Sequence, residues 1–177
     1  WVKAKPLVKR RHCYEVDGRI LARGDVYEPL DVDQVRTIAR SIRNDGRIQA
    51  VAINFLFSFV TPDHEREAQE IFAKECPGIP VSISYEVLPK WKEFERSSTT
   101  IADAYIKPTV GNHLSQMRER LTSKRITPHV AVIKSNGGEM TLEAAAAHPL
   151  QMTLSGPTGG VVGAKQIARS VGVDHLV

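Results

Sequence analysis

The segment from Gln151 to Ser170, Gln-Met-Thr-Leu-Ser-Gly-Pro-Thr-Gly-Gly-Val-Val-Gly-Ala-Lys-Gln-Ile-Ala-Arg-Ser, constrains this chain more than any other stretch. Met152 to Leu154 reads as a short strand. Ser155, Gly156, Pro157 and Thr158 then turn into a helix, with Ser155 or Thr158 able to accept from a free N–H of its first turn. Along that helix Gly159 and Gly163, and beside them Gly160, Ala164 and Ala168, form two small-residue rows. A glycine inside a helix costs about 1 kcal/mol relative to alanine. The cluster therefore points to a face that another backbone or a ligand approaches closely. A glycine-rich surface loop is the plainer reading, but Val161, Val162, Ile167 and Val171 recur along the expected helix, and Gly172 suits a helix C′ position. A phosphate loop would need a Lys-Ser/Thr pair or a G-x-G-x-x-G exit, and neither is present. Close helix packing at a domain interface accounts best for the pattern.

The preceding chain alternates between strand and helix signals. Tyr14 to Glu28 reads as a hairpin turning at Asp17-Gly18. Asp31 opens a helix with Gln34 as its capping-box partner, Val35, Ile38, Ala39 and Ile42 as its apolar face, and Asn44-Asp45-Gly46 as its end. Ala50 to Phe59 is nearly continuously apolar, as a buried strand would be. Thr61 caps a helix with Pro62 at its first position; Ala68, Ile71 and Phe72 face inward, and Pro77-Gly78 stops it. Val81 to Val87 alternates as a strand. Two helices follow, Trp91 to Tyr105 and one beginning at Pro108 with Val110, Leu114, Met117 and Leu121 on one face. His129 to Lys134 reads as a strand, Ser135 to Gly138 as a tight turn, and Thr141 as the cap of an Ala-rich helix ending near His148-Pro149. Asp174 to Val177 looks like the start of a further strand. The order is that of an α/β layer with part of its sheet parallel.

Composition narrows the function by exclusion. A hydrophobic share of 42% and a charged share of 25% describe a globular chain. The net charge of +4 is mild, and the basic runs Lys3 to Arg11 and Arg118 to Arg125 carry few aromatics, which argues against nucleic-acid binding. No apolar run reaches the length of a membrane span. Cys13 and Cys76 lack C-x-x-C spacing, so a reducing, cytoplasmic setting is the simpler assumption, with a disulfide left open. His64-Glu65 has no second histidine four residues on and is not a zinc motif. The chain begins at Trp1 rather than methionine, and we expect it to be a piece of a longer polypeptide.

Ligands of open α/β sheets bind beyond the carboxyl ends of the strands. Three segments meet that description: the one after Val87, with Glu86, Glu93, Glu95 and Arg96 beside the hydroxyl run Ser97-Ser98-Thr99-Thr100; the turn Ser135-Asn136-Gly137-Gly138, whose N–H groups suit an anion; and the turn from Ser155 to Gly160.

Several of these segments together resemble the hydantoinase A/5-oxoprolinase family, which includes acetone carboxylase β subunits: His64-Glu65, Val81 to Pro89, Glu93 to Thr100, Ala104-Tyr105, Ser135 to Gly138, and Leu154 to Ala164. Thr158 stands where the family commonly has alanine. The resemblance implies a ribonuclease-H-like (actin/Hsp70-like ATPase) partial domain with a mixed sheet flanked by helices. Residues 1–30 would be a hairpin at the edge of the N-terminal hydantoinase/oxoprolinase domain, and residues 31–90 its βαβ part. Residues 91–177 would start the hydantoinase A core, ending before the second phosphate loop. Family members have two phosphate loops of the form Asp-x-Gly-Gly-Thr-x-Thr-Asp, and neither occurs here. Ser155 to Ala164 would be the connecting helix at the hinge between two domains. The implied activity is ATP-dependent, Mg²⁺-assisted opening of a small cyclic amide such as a hydantoin or 5-oxoproline, through phosphorylation of the amide oxygen. The runner-up is a ketone carboxylase subunit, and a stand-alone anion- or protein-binding module is the alternative to both. Expected partners are a hydantoinase B-type subunit or fused domain and further copies in an oligomer. Glu95 and Arg96 are the candidate catalytic pair; Ser135, Asn136, Gly137, Gly138, Ser155, Gly156, Thr158, Gly159 and Gly160 are the candidate cofactor-binding groups.

Overall fold

A computed structural model of the chain describes residues 5–126 and 130–173. It divides into two compact units, the first ending at Pro108 and the second beginning at Thr109. Both are α/β, as expected, with one antiparallel and one parallel strand pair described in the first unit and an antiparallel pair in the second. Among the described residues no helix is long and apolar enough to cross a membrane.

The first unit contains the antiparallel pair β1 (Arg19–Ile20) and β2 (Val26–Glu28), then α1 (Val32–Asp45), β3 (Val51–Ile53), α2 (Asp63–Glu75), β4 (Val81–Ile83), the single turn α3 (Ser84–Val87) and the start of α4 (Glu93–Ser123). Strands β3 and β4 pair in parallel, Val51 opposite Val81 and Ile53 opposite Ile83. Helices α1 and α2 pack on each other through Val35, Ala39 and Ile42 of one and Ala68, Ile71 and Phe72 of the other, and Ile53 and Ile83 join the same cluster. Arg40 of α1 grips Glu75 of α2 with two bonds, of 2.9 and 3.0 Å. That hydrogen bond holds the Glu75 carboxyl below its ordinary range. A depressed folded-state pKa gives stability that is present above the unfolded-state pKa and lost as pH falls through the folded one. Melting temperatures of the wild type and Glu75→Gln should therefore differ at neutral pH and converge on acidification below the carboxylate range.

Local capping follows the sequence closely in α1. Asp31 Oδ1 accepts from the N–H groups of Asp33 and Gln34, and Gly46 closes the helix at φ 66°. Gln34 does not complete a capping box, because its amide instead bonds Asp17 at both the N–H and Oδ2. Asp17 is thereby taken up by α1, and the hairpin turns further on, where Gly24 sits at φ 93° and donates to Leu21. Asp31→Ala should cost about 1 kcal/mol, read by urea denaturation.

Several elements read from sequence come out differently. The strand expected over Ala50 to Phe59 stops at Ile53, and the one expected over Val81 to Val87 stops at Ile83. In both cases the next backbone groups bond to side chains rather than to the ladder. Helix α2 starts at Asp63 after an uncapped Pro62, since the Thr61 hydroxyl donates to the Gly24 carbonyl. The two helices expected around Pro108 are one continuous α4. Proline's φ suits a helix, and the residues before it offer no terminating glycine. The boundary between the units falls at this proline. Cys13 and Cys76 are free; burial pushes the Cys76 thiol up.

The second unit holds the rest of α4, the antiparallel hairpin β5 (Ala131–Ile133) and β6 (Glu139–Thr141), α5 (Leu142–Ala147) and α6 (Ser155–Val171). Leu114, Leu142 and Ala145 are its buried centre, with Val110, Met117, Val132 and Met140 around them. The turn Ser135 to Gly138 joins two strands, of which β6 was not expected; Gly137 adopts φ 86° there. Thr141 caps α5 through the Ala144 N–H. The expected strand over Met152 to Leu154 is absent: Pro149–Met152 is a 3-10 turn, and the Gln151 carbonyl accepts from the Ser135 N–H and hydroxyl. Helix α6 forms as expected and closes at Gly172, φ 70°. Neither Ser155 nor Thr158 is its N-cap; Leu154 occupies that position, and the Thr158 hydroxyl donates back to the Leu154 carbonyl. His129, within the expected strand before β5, and the expected strand start at Asp174 to Val177 lie outside the described residues.

Candidate functional site

The polar centre of the first unit lies at the carboxyl ends of the parallel strands, and Glu65 builds it. Glu65 occupies the inward face of α2, one turn before Ala68, and is fully buried. Its Oε1 accepts from the Phe55 N–H (2.8 Å) and from the Ser84 hydroxyl (2.6 Å). Its Oε2 accepts from the Tyr85 N–H at 2.9 Å. Phe55 follows β3 by one residue beyond Asn54, and Tyr85 follows β4 by one beyond Ser84. A single carboxylate thus receives the backbone where each strand ends, which is why both strands are short. A buried carboxylate needs such donors, because isolated it would be prohibitively costly. The Ser84 hydroxyl also lies 3.1 Å from that of Ser58.

Arg96 meets the same peptide from the other side. It is fully buried on α4, and its guanidinium donates to the Phe55 carbonyl (2.8 Å), the Lys90 carbonyl (3.1 Å) and the Asn54 Oδ1 (3.1 Å). Its charge lies 5.3 Å from the Phe59 ring centre. The planar fork of arginine suits three separated acceptors in a way an ammonium does not. Arg96 is therefore an internal clamp rather than an open charge. Its neighbour Glu95 is different: its side chain is half exposed, 3.5 Å from Lys92 Nζ.

Between the clamps the segment after β3 is held in an uncommon shape. Phe57 adopts φ 59°, unusual for a bulky residue, and its carbonyl accepts from the Val60 and Thr61 N–H groups. Asn54 stays exposed, yet its amide is fixed: Oδ1 receives Arg96, and Nδ2 donates to the Ser97 hydroxyl at 2.6 Å. Both Asn54 and Ser97 line a half-open cavity of about 860 Å³ walled by the segment of residues 7–16, by β3 and α4, and by the apolar side chains that α1 and α2 turn toward it. His64 is buried beside this centre, edge-on to Phe55 with ring centres 5.9 Å apart. Among the described residues no cluster of three or more His, Cys, Asp or Glu could hold a metal ion.

The other two candidate segments form one patch in the second unit. The Ser135 carbonyl accepts from the Thr158 hydroxyl at 3.0 Å, and the Ser135 hydroxyl accepts from the Leu154 N–H at 3.1 Å. A Cβ placed on Gly137 would lie 3.4 Å from Val162, and one on Gly159 would lie 3.1 Å from Ile133. As a phosphate cradle the Ser135–Gly138 turn does not fit. The N–H groups of Ser135, Gly137 and Gly138 are donated to Gln151, Lys134 and Asn136. Gly156, Gly160 and Gly163 face open space within this unit, and Val161, Ile167 and Val171 are exposed beside them.

Glu65 and Asn54, which build the polar centre of the first unit, were not among the candidate site residues singled out from sequence. Glu65 did carry a signal, since it shares the spacing of Ala68 and Phe72 on the buried stripe of α2. Asn54 carried none, sitting in an apolar run.

Two family models match the chain, "Hydantoinase/oxoprolinase N-terminal region" over residues 2–76 and "Hydantoinase/oxoprolinase" over residues 96–177. An uncharacterized protein of Methanocaldococcus jannaschii is 39% identical over 90% of this chain and 23% of its own length. The 5-oxoprolinase of Saccharomyces cerevisiae is 36% identical over 78% of this chain and 10% of its own length. Among solved structures, nucleotide-free acetone carboxylase superimposes with TM-score 0.82 at 28% identity, covering 96% of this chain and 24% of that one. The ATP-dependent caprolactamase of Pseudomonas jessenii superimposes with TM-score 0.75, also at 28%, covering 98% and 25%. The chain thus spans a quarter or less of each of these proteins.

Proposed function

The chain belongs to the hydantoinase/oxoprolinase family, and from that premise we propose that it is one segment of an ATP-dependent enzyme that opens a cyclic amide. The observation that carries the reading is the polar centre at the carboxyl ends of β3 and β4, in a chain similar to 5-oxoprolinase and caprolactamase. Carboxyl ends of parallel strands are where open α/β sheets bind ligands. Glu95, the accessible carboxylate next to that centre, is our candidate substrate-facing group, and Arg96 supports it from within. ATP would transfer a phosphoryl group to the amide oxygen, releasing ADP; water would then add to the amide carbon, with phosphate lost and the ring C–N bond broken. Since the N–H groups of Ser135, Gly137 and Gly138 are used internally, we assign the phosphates and Mg²⁺ to residues outside this chain. The patch of Ser135 to Gly138 with Ser155 to Gly160 then contributes packing along the nucleotide cleft, and a hydantoinase B-type partner completes the assembly.

A carboxylase reading has one specific point in its favour, the higher TM-score to acetone carboxylase. Incubating the full-length protein and its partner with ATP and either a cyclic amide or a ketone plus bicarbonate separates the two by product. Two further results are expected. The 177-residue chain alone shows no ATP·Mg²⁺ affinity in the low-micromolar range by calorimetric titration; tight binding would contradict the division of labour. Glu95→Gln lowers turnover of the full-length enzyme at least tenfold with the melting temperature unchanged; wild-type kinetics would make Glu95 a solvated surface charge.

A further inference from the structure

Phe55 is held at both backbone groups by buried charged side chains of opposite sign. Its N–H donates to Glu65 and its carbonyl accepts from Arg96. The next residue back, Asn54, is exposed but has its amide fixed by Arg96 Nε. We infer that Glu65 and Arg96 are positioning residues that act through the Phe55 peptide and Asn54 to fix a two-donor rim, Asn54 with Ser97, for the carbonyl oxygen of the substrate. The donor count follows from the bonding. Asn54 Nδ2 spends one hydrogen on Ser97, which leaves its second hydrogen and the Ser97 hydroxyl hydrogen to donate. Two donors side by side match an acceptor oxygen, and the apolar walls of the adjoining cavity suit the rest of a small ring. This rests on the cyclic-amide reading, but the bridge itself is independent of it.

The test uses the full-length enzyme. Glutamine at position 65 offers one acceptor oxygen where the carboxylate offers two. Glu65→Gln should therefore raise amide hydrogen exchange at Phe55 or Tyr85 at least tenfold while distant core amides stay protected. Unchanged exchange at both overturns the bridge, whatever reaction the enzyme performs. In kinetics, Asn54→Ala should lower kcat/KM for the cyclic amide at least tenfold and leave KM for ATP within threefold. A shift confined to ATP would place a phosphate oxygen at the rim and overturn the substrate assignment. The decisive comparison is a cycle of Arg96→Lys, Asn54→Ala and the double variant. If Arg96 acts through Asn54, the double variant is no slower than the worse single one. Losses that multiply would make Arg96 merely structural and overturn its positioning role. If Arg96→Lys does not fold, Glu65→Gln takes its place in the cycle and is read the same way. A wild type that turns over neither cyclic amides nor ketones contradicts the functional reading, and the exchange data still decide the bridge.

Discussion

Glu65→Leu should destabilise the 177-residue chain by up to roughly 2–6 kcal/mol, at no more than about 1–3 kcal/mol for each of the two partly buried N–H groups it orphans. A domain's whole stability is commonly about 5–15 kcal/mol, so the variant would sit near the edge of folding. Leucine matches the apolar surroundings of α2 but accepts nothing from Phe55, Tyr85 or the Ser84 hydroxyl. Glu65→Gln should lose less, because one oxygen still accepts. Urea denaturation of the three proteins checks the order, with wild type first and Leu last. A leucine variant as stable as the wild type would mean that water or a backbone shift satisfies both strand ends, and Glu65 would not be what terminates β3 and β4.

The second large effect separates two glycines that look alike in sequence. Gly159 and Gly163 lie one turn apart, yet a Cβ on Gly159 would come 3.1 Å from the Ile133 side chain, while one on Gly163 meets nothing within 4 Å. Gly159→Leu should therefore cost this chain about 1–3 kcal/mol by overpacking. Gly163→Leu should leave its melting temperature unchanged or slightly raised, since leucine favours a helix more than glycine does. In the full-length enzyme we expect the opposite ranking for activity. If the face of Gly160, Gly163 and Ala164 meets a second helix at a hinge, leucine at Gly163 forces the two apart and severely lowers ATP-dependent turnover. Equal stability losses at both positions in this chain would bury the Gly163 face here and end the hinge proposal.

These two cases show what the sequence could carry. Helix α1 was legible in its start, stop and apolar face, because Asp31, Asn44-Asp45-Gly46 and the apolar stripe act over one to four residues, while the bonds of Gln34 to Asp17, seventeen residues away, were not. The Ser135–Gly138 turn and the Gly172 stop were legible for the same reason. Strands β3 and β4 were read too long because what ends them is Glu65, ten residues from Phe55 and twenty from Tyr85. Alternation in Val81 to Val87 carried no trace of that distant acceptor. Pro108 was read as a helix start because an interior proline gives up a donor and crowds the carbonyl four residues back; the structure nonetheless carries α4 through it. For the site, position after a strand singled out Arg96, whose side chain is turned inward. The group left exposed there, Asn54, is ordinary in sequence and distinctive only through what fixes it. The paired use of Ser135 and Thr158 was likewise invisible, since it depends on α6 folding back against the β5–β6 turn.

We propose that this chain works inside an ATP-dependent enzyme for cyclic amides. Product analysis with the full-length protein and its partner subunit tests it most directly. We expect ring-opened acid to form only with ATP present, with one ADP and one phosphate released per ring, and no carboxylated product when a ketone and bicarbonate are supplied instead. Ketone carboxylation with no ring opening of hydantoin, 5-oxoproline or a larger lactam would contradict the account.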